Sequence, residues 1–266
     1  MVDIREALRT AGFCVGVATI RTVIREEGFR WKSAKVVLTS HDPLYREKLS
    51  RIQEILSNLR SSERFFSIDE FGPFAVKMKG GRALTPADVR PMVPQWQKSK
   101  GWLILTAALE LSSNQVTHFY SKAKNTEEMI RMARLLVDQY VGSSKLFLSW
   151  DAASWHVAKK LMKFVASHNE TASTLSLPLI ELAPLPASAQ FLNVIESIFS
   201  GMARAIIHRS DYESKEAAQA AIDSYFATRN RHFAENPQRA GKRIWGVERV
   251  APEFNESNNC KDPAYR

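Results

Sequence analysis

Cysteine is scarce in this 266-residue chain: Cys14 and Cys260 lie near opposite ends, and neither belongs to a Cys-x-x-Cys pair. That argues against a disulfide scaffold and against a Cys-based zinc site, and it makes a reducing cytoplasm the simplest setting. Long apolar runs are missing too. None approaches the roughly 18 residues that a membrane span needs. Met1-Val2-Asp3-Ile4-Arg5 opens an ordinary helix and not a secretory signal. A Gly-rich phosphate loop of the Walker type is absent, so ATP dependence has no support. Ser149, Ser154 and Ser188 lack a Gly-x-Ser-x-Gly context, and no His–Asp pair completes a hydrolase triad around them. Internal repeats and low-complexity segments are absent as well.

Acidic residues are in deficit. Lys and Arg number 37 against 28 Asp and Glu, which gives a formal charge of +9 and a pI of about 9.6. Such a balance favours a polyanionic partner, because phosphate contacts by Lys and Arg supply most sequence-independent DNA affinity. The excess is clustered. Residues 77–100 hold Lys77, Lys79, Arg82, Arg90, Lys98 and Lys100 against a single acid, Asp88, and Trp96 and Trp102 flank the stretch. Basic side chains interleaved with aromatics suit a surface that grips a nucleic-acid backbone. The competing reading is a solvated hairpin with a Trp folded into the core, and Trp102 is assigned to the core.

What is present reads as one α/β body behind a small helical segment. Ile4, Ala7 and Leu8 stripe a first helix, and Ile20, Val23 and Ile24 stripe a second; Gly12 and Gly28 end them. Two helices around a Gly-containing turn fit a helix-turn-helix over residues 1–30, with Thr19, Arg21, Thr22 and Arg25 as its DNA-facing residues. Residues 31–63 read as a linker and an approach helix. A strand is expected over about 64–70, with a hairpin partner near 73–79. Two more strands are expected over 102–111 and 115–120, turned by Ser112-Ser113-Asn114. A helix follows through Met129 and Leu136, then a strand over 145–150, a helix through Leu161 and Val165, and a strand from Leu177 to Leu182. A helix through Ile195 and Phe199 and a last one over about 214–235 complete the order. It predicts an α/β fold with a ribonuclease-H-like mixed sheet flanked by helices over residues 64–236, and a C-terminal tail over 237–266. Met129, Met132 and Met162 are placed in the core.

Three acids stand in contexts that fit a metal site. Asp69 closes Phe65-Phe66-Ser67-Ile68, Asp151 closes Leu146-Phe147-Leu148-Ser149-Trp150, and Glu196 sits within an amphipathic helix pattern. A carboxylate at the end of a buried strand is costly unless something pairs with it. Three brought together repel unless a divalent cation neutralises them, and hard oxygen ligands suit Mg²⁺ or Mn²⁺. Two such ions about 3.5–4 Å apart can stabilise both the attacking and the leaving oxygen of a phosphodiester. Glu196 borders the stripe of Leu192, Ile195 and Phe199, so it is expected at the rim of the sheet and not in water. Neighbours on a strand face opposite ways, so only one of Asp69 and Glu70 can aim at the metals, and the other reading of Glu70 is a surface or hairpin-pairing charge. Asn193 stands where it could position the Glu-bearing helix or touch the site, and the first role is preferred. His156, one turn past Asp151, fits a helix cap as well as a contact to substrate phosphate. His118, His168, His208 and His232 show no metal-ligand spacing.

Ile68-Asp69-Glu70, Asp151 with His156 five residues on, and Leu185-Pro186 leading into Leu192-Asn193-Val194-Ile195-Glu196 together resemble the DDE transposases of the mariner-like superfamily, in their bacterial insertion-sequence branch. The resemblance runs from about residue 4 to residue 250. Two features depart from it. Val194 stands where the family has Pro, and the interval from Asp151 to Glu196 is 196 − 151 = 45 positions, longer than is common. The resemblance implies that Asp69, Asp151 and Glu196 bind two catalytic Mg²⁺ or Mn²⁺ ions. It implies a transposase that binds terminal inverted repeats, cleaves strands at the element ends and joins the 3′-hydroxyls to target DNA. A homodimer on the DNA, a bacterial nucleoid-associated location and no membrane partner go with it. The alternatives are a nuclease of the same fold without strand transfer, and an inactive or truncated DNA-binding remnant. The last is raised because Met1 falls close to a single helix-turn-helix where the family normally carries two.

Overall fold

The sheet is built by five strands in the order β3-β2-β1-β4-β5. They are β1 (Glu63–Ala75), β2 (Trp102–Glu110), β3 (Gln115–Ser121), β4 (Lys145–Ser149) and β5 (Leu179–Leu182). β1, β2 and β3 form an antiparallel meander, and β4 and β5 add in parallel on the other side of β1. The computed structural model describes residues 2–33, 40–82, 84–151, 153 and 158–245. Ser154, His156, Cys260 and the tail from residue 246 lie outside the described residues.

Side-chain alternation along β1 assigns the two faces. Phe65 and Phe71 join the core cluster made with α3 (Tyr45–Ser57), α6 (Val194–Met202) and α7 (Lys215–Glu235). Phe66 and Ile68 join the cluster made with α4 (Thr126–Gln139) and α5 (Lys159–Leu175). The central strands β1, β2 and β4 are largely apolar on both faces because each face is covered by helices, so they read as near-continuous apolar runs. Asn125 caps α4 by accepting from the Glu128 amide, and Ser214 caps α7 by accepting from that of Ala217. α6 runs on through a π-turn over Ala203–Ile207, and α8 (Lys242–Trp245) follows α7. This is the ribonuclease-H-like mixed sheet flanked by helices that the sequence predicts.

Four expectations need correction. The segment near 73–79 is not a hairpin partner of β1. Phe74 and Ala75 continue β1 itself and pair with Leu103 and Trp102, after a register shift between Phe71 and Phe74. Gly72 makes the shift possible: its φ is +110°, and a Cβ there would lie 2.6 Å from the Leu103 carbonyl oxygen. Asp69 consequently lies inside a strand and not at its end. Trp102 is 61% exposed, because the α4/α5 face of β2 is not covered at its first residue. Met162 is 54% exposed on α5, whereas Met129 and Met132 are buried as expected.

The chain divides into two compact units, Met1–Val37 and Leu38–Arg266. The first carries α1 (Val2–Thr10) and α2 (Val17–Glu26). Ile20 is buried on α2, and Thr19, Arg21, Thr22 and Arg25 are all exposed on it.

Candidate active site

Asp69 belongs to the α6 face of β1, and the parallel neighbour of β1 stops just short of it. Ser67 is in register with Ser149, the last residue of β4. The same offset places Asp151 beside Asp69, two residues past the end of β4. Carboxyl ends of parallel strands are where open α/β sheets take their ligands. Asp151 is half-buried and Asp69 is buried at 7% exposure.

A fully buried polar network holds Asp69 in place. Asn193 Nδ2 donates to Asp69 Oδ2 at 2.9 Å, and the Glu70 amide donates to Asp69 Oδ1 at 2.7 Å. Ser67 Oγ donates to Asn193 Oδ1 at 2.5 Å and accepts from the Ile195 amide at 3.0 Å. Ser67 and Asp69 project from the same face of β1, two residues apart, so one amide side chain spans both. The Ile195 amide is one of the orphan donors at the start of α6, and Ser67 satisfies it from the strand. Asn193 thus fixes the helix that carries Glu196 and orients the Asp69 carboxylate. Sequence reasoning offered these roles as alternatives and preferred the first, whereas Asn193 fills both. It missed Ser67, whose only sequence signal is a small polar residue inside an apolar run.

Glu196 lies in the first turn of α6 and is exposed, not withheld from water at the sheet rim. Val194, Ile195 and Phe199 take the buried side of α6 and leave Glu196 facing outwards. Glu70 is corrected in the opposite sense: it is buried at 6% exposure on the α4 face, and its carbonyl accepts from Lys124 Nζ at 3.3 Å.

The three acids feel one another. Burial pushes the Asp69 carboxyl up to about 7, against the relief of the Glu70 amide, and the charges of Asp151, Glu196 and Glu70 raise it further. Among the described residues, however, no three acid, His or Cys side chains are gathered closely enough to cage a metal. The donor set suits a hard divalent cation: all oxygen, one carboxylate held by two hydrogen bonds, and mutual repulsion that a cation would relieve. Closing on the ion would be left to the half-buried Asp151 and the exposed Glu196.

The basic stretch is anchored at its base. The Lys79 amide donates to the Ser210 carbonyl at 2.8 Å, and Lys100 Nζ meets Asp211 Oδ1 at 3.0 Å. Lys77 and Lys79 are half-buried there, whereas Arg82 is exposed and Trp96 is 86% exposed. His118 contacts Asp223 Oδ1 at 2.9 Å and stands in the same cross-strand row as Asp69, two strands away through Ala107.

The model of a family described as DDE superfamily endonuclease matches residues 64–219. The chain is similar to the Mos1 transposase in a paired-end complex with the left transposon end, at 17% identity and a TM-score of 0.59, over 86% of this chain and 68% of that one. It is also similar to the mariner Mos1 paired-end complex with Mg, at 15% identity and a TM-score of 0.58, over 93% and 74% of the two chains. The Mos1 complex with Mn gives 15% and 0.55, over 94% and 79%. At these identities the likeness is one of fold. A comparison with curated proteins gave no match.

Proposed function

The chain belongs to the DDE superfamily of endonucleases, and from that premise we propose that it is a transposase of the mariner-like kind, from a bacterial insertion sequence. It binds the terminal inverted repeats of its element, cleaves the strands there and transfers the freed ends to target DNA. The observation that carries this reading is the buried Asp69, raised towards neutrality by burial and by the charges of Asp151 and Glu196, at the point where β4 ends.

Cleavage joins a water oxygen to the phosphorus and breaks the P–O3′ bond, leaving a 3′-hydroxyl and a 5′-phosphate. Transfer repeats the displacement: the 3′-hydroxyl oxygen bonds to a target phosphorus, and the target's own P–O3′ bond breaks. Two Mg²⁺ or Mn²⁺ ions held by Asp69, Asp151 and Glu196 would neutralise charge on the entering and leaving oxygens. Asn193 and the Glu70 amide keep the Asp69 carboxylate from rotating. Asp151, at the end of β4, presents its carboxylate on the same edge. Glu196 has the longest reach of the three and can turn in from solvent. Thr19, Arg21, Thr22 and Arg25 on α2 read the terminal repeat, and Lys77, Lys79 and Arg82 hold phosphates. The DNA-bound form is a homodimer.

The test uses labelled duplex ending in the terminal repeat that flanks the gene, with Mg²⁺ and a plasmid target. Labelled strand covalently joined to the plasmid is the expected product. Cleaved repeat ends with no joined product would reduce the protein to a nuclease of this fold.

A further inference from the structure

α4 and α5 pack side by side over the sheet face away from Asp69, and a groove of about 560 Å³ runs between them. Its walls carry four cations at helical spacing: Arg131 and Arg134 from α4, Lys160 and Lys163 from α5. Its floor is apolar, with the buried Ile130 and the half-buried Phe164.

The fold does not explain these cations. Lys159, Lys160 and Lys163 sit at the start of α5, whose first turn has no acid. Cations at a helix N-terminus oppose the helix dipole. Arg131 pairs with Glu128 at 3.2 Å and Lys160 with Glu127, both at the protein surface, where such pairs stabilise little. Among the described residues Arg134 and Lys163 have no acidic partner. Arg131 lies 4.0 Å from the centroid of the Phe119 ring, and Arg134 lies 5.4 Å from that of Phe164. Arg131 thus spends one nitrogen on Glu128 while its guanidinium sits over Phe119, and Arg134, over Phe164 and with no acidic partner among the described residues, keeps its donors for a phosphate.

The groove also begins in the right place. β3 and β4 run parallel to β1, so α4 and α5, which follow them, both start at the sheet end that carries Asp69 and Asp151. Lys124, just before α4, already reaches the Glu70 carbonyl.

We infer that the α4/α5 groove is a second DNA-contacting surface, in which Arg131, Arg134, Lys160 and Lys163 bind backbone phosphates of duplex lying beyond the scissile bond while Ile130 and Phe164 meet the sugars. An acidic peptide could also use the cations. Duplex DNA fits better because the chain carries +9 overall and the groove opens at the acid edge. The inference rests on the reading of the chain as a DNA-cleaving enzyme.

Its test is the salt dependence of binding to a random-sequence duplex, by fluorescence anisotropy, with polyglutamate as a second probe. Arg134→Ala with Lys163→Ala removes two exposed cations and leaves no acid stranded. The slope of log affinity against log salt should fall by up to about 1.8, at roughly 0.9 per phosphate contact. The control Arg231→Ala with Lys242→Ala, on α7 and α8, should keep the wild-type slope. A wild-type slope in the groove variant overturns the inference, as does an equal fall in the control. Loss of polyglutamate binding with the duplex slope intact overturns it in favour of an acidic protein partner. Wild-type protein with no salt-dependent duplex binding would instead sink the DNA-cleaving reading itself.

Discussion

Asp69 concentrates the electrostatic problem of this molecule into one side chain. In the folded protein it keeps its proton up to about pH 7, whereas in an unfolded chain it would lose it near the ordinary value of 3.8. The folded state therefore binds more protons than the unfolded state between those limits. Stability contributed by this group is complete at acid pH and is lost as the pH rises through about 7. Asp69→Asn removes the titration and keeps the shape. In EDTA, urea unfolding should find the variant more stable than wild type at about pH 8, with the gap narrowing as the pH falls through about 7 and closing only near the ordinary value of 3.8. A gap that is the same at both ends of that range would mean that Asp69 is not raised by its surroundings. The position of this acid was legible because it interrupts an apolar run. The network around it was not: Ser67 and Asn193 are 126 residues apart, and nothing in their local sequence says that they meet. Glu196 was misjudged for a related reason. Helical periodicity shows which residues point inwards, and a carboxylate one position from a buried residue still has the freedom to face water.

At the scale of elements, periodicity carried most of the fold. The β-meander, the alternation of helix and strand after it, and the parallel addition of β4 and β5 follow from apolar runs and short turn signals. β1 is where that reading failed. Gly72-Pro73 has the local chemistry of a turn, and a bulge uses the same residues. What decides between them is the pairing of Phe74 and Ala75 with Leu103 and Trp102, some 30 positions on. The structure makes a specific demand at Gly72, since both its positive φ and the nearby Leu103 oxygen exclude a side chain. Gly72→Ala should cost more than about 1 kcal/mol in urea unfolding. A loss within about 0.5 kcal/mol, as for an ordinary surface substitution, would show that the bulge is not held at this residue.

For the whole molecule, charge and topology converge on one use. A basic chain sets the buried Asp69 beside the end of β4 under the repulsion of Asp151 and Glu196, and its family is one of endonucleases. The net charge was legible from composition, but its distribution was not. The stretch from Lys77 to Lys100 is partly tied down through Ser210 and Asp211, while the cations of α4 and α5 drew no attention in the sequence because they sit on ordinary amphipathic helices. If Asp69, Asp151 and Glu196 act as one metal-dependent centre, cleavage needs all three carboxylates. Mn²⁺-stimulated nicking of supercoiled plasmid by the three single alanine variants, with duplex affinity measured on the same preparations, tests it most directly. Each variant should fall to the background of the metal-free reaction while duplex affinity stays within about twofold, because affinity rests on Lys and Arg contacts to phosphate. Near-wild-type nicking by any one of the three would contradict the claim.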